Sequence, residues 1–230
     1  MSAIVTERPW RVPGMLVAIG ALVLAAGLLL GPGPGTDTAQ ALENIEGFRA
    51  RYVATNAVDL VGALVLVAGL LATARLQLAT RGGLLALLGG VASALGGLML
   101  VLTLVLQSSV DPELAERYVA ASGAERATHL AVAEAIFDLD AVVFGVGFLL
   151  TMGGIALIAV AALASGAPRA NRWLLLTGIV LSAGASTTAL LVPFGAPDGY
   201  AVVESVLGLI VLVWLVVLGT LIARAETPVA

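Results

Sequence analysis

The sequence predicts an all-α fold: a six-span transmembrane helical bundle with two short extracellular helices. Three observations predict it. Hydrophobic residues make up 60% of the chain and charged residues only 11%, where a soluble domain carries about 25% charged residues. Apolar runs of about 20 residues, long enough to cross the hydrocarbon core as a helix, recur along the whole length. Short segments rich in Gly, Pro or Arg separate them. Residues 1–230 therefore read as a single integral membrane domain whose principal partner is the lipid bilayer.

The first span is expected over 14–31, behind the basic and aromatic flank Arg8, Pro9, Trp10 and Arg11, as at a membrane interface. Ala39, Gln40 and Ala41 resemble a signal cleavage site, but the apolar stretch before them exceeds the usual signal core of about 7–15 residues. The Gly-Pro-Gly-Pro-Gly run at 31–35 ends this helix, because neither residue sustains one. Asp37 or Thr38 then caps a short helix reaching about Phe48, with Gln40 three residues after Asp37. The second span covers 52–74, and a short basic linker from Arg75 to Arg81 leads to the third, at 82–106. Asp111-Pro112-Glu113 reads as a fresh helix start, with Asp as cap and Pro in the first turn, and this second short helix ends near Gly123. A helical pattern from about Ala124 to Ala164 is too long for one crossing, so only 141–164 is assigned to the hydrocarbon. The fifth and sixth spans cover 173–192 and 200–223. Trp10 and Trp173 read as interface anchors, and Trp214 as mid-span packing.

Charge sets an expected orientation. Arg8, Arg11, Arg75, Arg81, Arg169, Arg172 and Arg224 fall on the side of the termini; Arg49, Arg51, Arg117 and Arg126 fall on the other. Seven against four in short segments places both termini in the cytoplasm. Richness in Ala, Gly, Arg and Leu points to a high-GC prokaryotic genome, hence a prokaryotic plasma membrane.

The third span carries Gly82-Gly83, Gly89-Gly90 and Gly96-Gly97, a doublet every seven residues, with Ala86 and Ser93 between them. A small-residue stripe lets another helix approach closely where lipid supplies no hydrophobic drive. It is expected to pack against a neighbouring helix, or against a second copy or a membrane partner. The fifth span has a shorter version in Gly178, Ser182, Ala185 and Ser186.

The stretch Phe-Gly-Val-Gly-Phe-Leu-Leu-Thr-Met-Gly-Gly at 144–154, Ser-Gly-Ala-Pro-Arg at 165–169 and Leu-Leu-Leu-Thr-Gly at 174–178 resembles a bacterial family of multi-pass membrane proteins. That family is catalogued as domain of unknown function 4386. The chain departs from it in Ala-Asn-Arg-Trp at 170–173, where Leu-Gly is expected. The resemblance implies a multi-helix membrane fold, and lends neither activity nor functional residues.

Several chemistries are excluded. The chain has no Cys, which removes disulfides, thiolate metal sites and Cys nucleophiles. It has no Lys, so no Schiff-base cofactor can attach. His129 is the single histidine, too few for bis-histidine haem or a multi-His zinc site. No nucleophile elbow, phosphate loop or zincin motif occurs, and the arginines form no nucleic-acid patch. No cofactor is expected.

What remains is acidic. Each helix running inward from the outer side carries acids near its outer end: Asp59 in the second span; Glu134, Asp138 and Asp140 before the fourth; Glu204 in the sixth. Glu134 and Asp138, four apart, share one helix face; Asp140 points elsewhere, nearer the line of His129. Asp59-Leu60 aligns with Asp138-Leu139, and Arg51-Tyr52-Val53-Ala54 with Arg117-Tyr118-Val119-Ala120, hinting at related hairpins. If these acids converge, they form an outward-facing site for a hard metal cation, a proton or a small cationic solute. If not, they are solvated charges at helix N-termini, paired with the outer arginines. Asn56, Thr103, Gln107, Thr151 and Thr177 are assigned to interhelical hydrogen bonds. The expected function is binding or transport at the acidic site. The alternative is a non-catalytic accessory or scaffold subunit of a membrane complex, with an intramembrane enzyme last, since no nucleophile has a positioned base.

Overall fold

The computed structural model describes residues 9–31, 37–166, 171–191 and 199–224. Side chains of 189–191 and 199–205 lie outside that description, as do the Gly-Pro turn, the 167–170 turn and the 192–198 turn. The described residues are helical, in seven helices with no strand: α1 Arg11–Leu30, α2 Thr38–Gly47, α3 Arg49–Gln77, α4 Gly83–Ala120, α5 Gly123–Ser165, α6 Arg172–Leu191 and α7 Gly199–Arg224.

Six long helices close into a ring. Each of α1, α3, α4, α5, α6 and α7 packs on the next, and α7 packs back on α1. Five of the helices are long and apolar enough to cross a bilayer. Large apolar side chains point outward from them, among them Leu84 (71% exposed), Leu98 (66%) and Leu22 (59%). Water would not tolerate such a belt on a monomer's surface, and hydrocarbon does. The chain is a transmembrane helical protein.

The small-residue stripe explains how α4 sits between two neighbours. The first member of each doublet meets α5: Gly82 lies against Ala161, Gly89 against Gly154 and Ile158, Gly96 against Gly147 and Thr151. The second members turn to the other side, where Gly90 meets Ala74 and Gly97 meets Val67, both of α3. Adjacent residues on a helix point about 100° apart, so one doublet serves two interfaces. Gly178 of α6 is filled in the same way by the Trp214 ring, whose indole N–H donates to the Leu174 carbonyl at 2.9 Å. Trp10 departs from its expected place: it is buried in the core rather than exposed as an anchor, whereas Trp173 is 76% exposed.

α4 has 38 residues and α5 has 43, roughly 57 and 64 Å at 1.5 Å per residue, about twice the hydrocarbon thickness. Their apolar halves lie in the ring. Their other halves continue as a hairpin beyond the end of the bundle where α1 stops. The expected break at Asp111 does not occur: Pro112 sits inside a continuous α4. Leu114, Ala115 and Tyr118 keep the apolar spacing going past the proline and join a second small core with Leu42, Ile45 and Ala133. That burial outweighs the one backbone hydrogen bond a proline removes. So α2 is a separate short helix, and the other expected short helix is the far end of α4.

α2 lies across this hairpin. Arg126 bonds Glu43 at 2.8 Å and stacks over the Tyr118 ring at 4.3 Å, and Arg49 bonds Glu116 at 2.6 Å. These pairs are exposed and contribute little each. The Asp37 carboxylate caps α2, accepting from the Gln40 amide at 2.8 Å. Asp37→Ala is expected to lose about 1 kcal/mol of local stability. Hydrogen exchange of the first-turn α2 amides should then speed up roughly fivefold, with the ring helices unchanged; unchanged α2 exchange would remove the cap from the account.

Candidate functional site

The polar groups that converge do so where α3, α4 and α5 meet beneath α2. Three turns of helix matter. In α4, Thr103, Gln107 and Asp111 follow each other at four-residue spacing and so share one face. From α3, Tyr52 donates its phenol O–H to Asp111 Oδ2 at 2.8 Å. From α5, Asp140 accepts a hydrogen bond from Gln107 Nε2 at 2.8 Å. Asn56, one turn below Tyr52, and Thr103 are buried beside them. Asp140 Oδ1 is shielded from solvent, and no described residue bonds to it.

Asp111 is the centre of this cluster. It is 6% exposed, between α3 and α5, although it lies beyond the apolar stretch of α4 that ends at Leu106. Burial pushes its carboxyl up to about 6; the Tyr52 hydrogen bond pulls the other way, and the nearby Asp140 charge adds to the rise. No arginine is part of the cluster. Of the four arginines at this end, Arg49 pairs with Glu46 and Glu116, Arg117 with Glu113, and Arg126 with Glu43, while Arg51 donates to the Leu30 carbonyl at 2.7 Å. Two carboxylates that approach each other without a cation between them attract a proton or a cation.

The acids singled out from the sequence are not all brought together. Asp140 is in the cluster. Asp59 sits seven residues further along α3 than Tyr52, about 10 Å deeper, against Gly27 of α1. It is half-buried, and no described residue bonds to its Oδ1. Glu134 and Asp138 do share a face, but it is the exposed face of α5. Asp138 is therefore not equivalent to Asp59, and its apolar sequence context does not mean depth. The Glu204 side chain lies outside the described residues. His129 stands 3.9 Å from Glu125, away from the cluster. Among the described residues, no group of three His, Asp or Glu is placed to hold a metal ion.

Two members of the cluster escape a reading of the sequence. Asp111 looks like a helix cap because Pro112 follows it, and Tyr52 stands out only as the first residue of the second span and a member of the repeated Arg-Tyr-Val-Ala. The signal that finds Asp111 is the spacing Leu114, Ala115, Tyr118, which carries the helix through the proline and turns Asp111 from a cap into an inward-facing side chain. Of the five residues assigned to interhelical bonds, Gln107 makes one. Thr151 and Thr177 bond the carbonyls of Gly147 and Trp173 in their own helices, the local alternative open to a hydroxyl on a short stem. Compared with known proteins, the chain matches no family model, no curated protein and no solved structure.

Proposed function

We propose that this chain is a six-span plasma-membrane protein with both termini cytoplasmic, and that the Asp111–Asp140 cluster is an outward-facing site for a proton or a small monovalent cation. The observation that carries the reading is the buried Asp111, held by Tyr52 and facing Asp140 with no arginine beside it. α6, at 20 residues, supplies the sixth span. The arginine asymmetry sets the orientation, which puts the α4–α5 hairpin and α2 outside. Asp59, one level further down α3, is the next carboxylate a cation would meet on entering the bundle. The accessory-subunit reading needs a small-residue stripe open to lipid, and α3 and α5 cover that stripe.

The test is thermal stability of the detergent-purified protein in sodium chloride against tetramethylammonium chloride at fixed ionic strength and pH 8. Saturable stabilisation by sodium and not by the bulky tetramethylammonium is expected, amounting to about 2.7 kcal/mol at a hundredfold excess over Kd. Asp111→Asn and Asp140→Asn should abolish it, and Asp138→Asn, on the exposed face, should keep it. An identical response in all four proteins would dismiss the cation and leave the proton alone, which the pH profile of Asp111→Asn tests.

A further inference from the structure

The other end of the bundle holds a second polar feature, independent of the acidic cluster. Gln77, in the last turn of α3, is 1% exposed. Its amide nitrogen and its amide oxygen are both shielded from solvent, and no described residue bonds to either. The side chain lines a cavity inside the bundle, with Thr73 one turn above it and Val17, Ile158, Trp214 and Leu218 among its walls. Thr73 donates its hydroxyl to the Gly69 carbonyl at 2.8 Å and makes no bond to Gln77. The Trp214 indole N–H is likewise committed to Leu174.

A buried amide with neither end bonded costs several kcal/mol in hydrocarbon surroundings. Two donors and an acceptor on one group call for a partner that both accepts and donates. About 20 Å³ of this cavity is open to the centre of a water molecule, against the 10–15 Å³ or so that one water needs. No charged side chain lines it, so an ion would lose its hydration without compensation.

We propose that Gln77 and this cavity form a binding site for a neutral, water-sized molecule that donates and accepts hydrogen bonds, with water itself the resident. The site lies between α1, α3, α5, α6 and α7, at the end of the ring where α3 ends, opposite the acidic cluster. It selects by charge and size: neutral hydrogen-bonding molecules of one or two heavy atoms enter, and cations do not. Its partner groups come from a single side chain, so the site can be removed by one substitution without touching the helix crossings.

The test uses the full chain, ¹⁵N-labelled in micelles, with water as the probe. The Gln77 side-chain amide, assigned by its loss in Gln77→Met, should show a rotating-frame cross peak to water that persists while neighbouring backbone amides stay protected from exchange. Gln77→Met, nearly equal in volume and with no polar atom, should melt no higher than wild type, because a satisfied amide is being lost. Absence of the cross peak would overturn the proposal. So would a rise in Tm for Gln77→Met, since removing an amide that has no partner relieves its desolvation cost. Neither readout depends on cations or on Asp111.

Discussion

Gly96→Val is expected to be among the most damaging single substitutions in the ring. At Gly96 a Cβ would stand 2.6 Å from the backbone nitrogen of Thr151 and against the Gly147 carbonyl. Both are backbone atoms of α5, so no rotamer change can make room. The two helices would have to separate, and the pairs at Gly89 and Gly82 on the same stripe would open with them. In lipid, separation is not opposed by a hydrophobic term between helices; close packing is the attraction itself. A loss of about 3 kcal/mol is expected, a fall in Tm of roughly 6–12 °C for a chain of this size. Gly153→Ala is the matched control, since nothing lies within 4 Å of a Cβ there. Alanine's better helix propensity, about 1 kcal/mol, should leave that variant as stable as wild type or more so. Melting curves in one detergent decide it, and equal Tm values for the two variants would show that the α4–α5 crossing is not held by backbone contact.

The second large effect is a pH dependence centred on Asp111. Its carboxyl is raised to about 6 in the folded protein by burial, from about 4 in an unfolded chain. The folded state therefore binds the proton more tightly than the unfolded state does. Stability from this group is fully present below about pH 4 and is lost as pH rises through 6; by pH 7.5 the loss is about 2–3 kcal/mol. Wild type should melt several degrees higher at pH 5 than at pH 7.5. Asp111→Asn keeps an acceptor for the Tyr52 hydroxyl and has no proton to lose, so its Tm should fall less steeply over that range than wild type's, Asp140 keeping its own share, and should lie above wild type at pH 7.5. The titratable groups acting on Asp111 are Tyr52 from α3 and Asp140 from α5. Asp140→Asn removes a neighbouring negative charge and should move the transition to lower pH without abolishing it. A wild-type profile unchanged by Asp111→Asn would assign the pH dependence to other carboxylates.

The two experiments probe different parts of one design. The glycine doublets bring α3, α4 and α5 close over their apolar halves, and that closeness brings Tyr52, Asp111 and Asp140 within reach of each other at the end of the crossing. Loosening the stripe should thus also weaken the pH dependence.

Residue order alone determined the helical class, the approximate place of each long apolar helix and the small-residue stripe, because each is written in local patterns. A 20-residue apolar run has one low-cost conformation in lipid, Gly cannot be mistaken for a bulky residue, and Asp37 with Gln40 three residues on is a cap legible without neighbours. Which helix each glycine meets was decided only by the tertiary structure, since a doublet points two ways and the chain does not say what stands on either side. The acidic site divides in the same manner. That acids crowd one end of the bundle follows from counting them; that Asp140 turns inward while Asp138 turns outward depends on the rotation of α5 against α4. Asp111 was hidden by a local rule, Pro in a first turn, that the Leu42, Leu114 and Tyr118 core overrode. Gln77 reads as one residue of a basic linker, and only closure of the ring around Trp214 puts its amide beyond the reach of water and of every described partner.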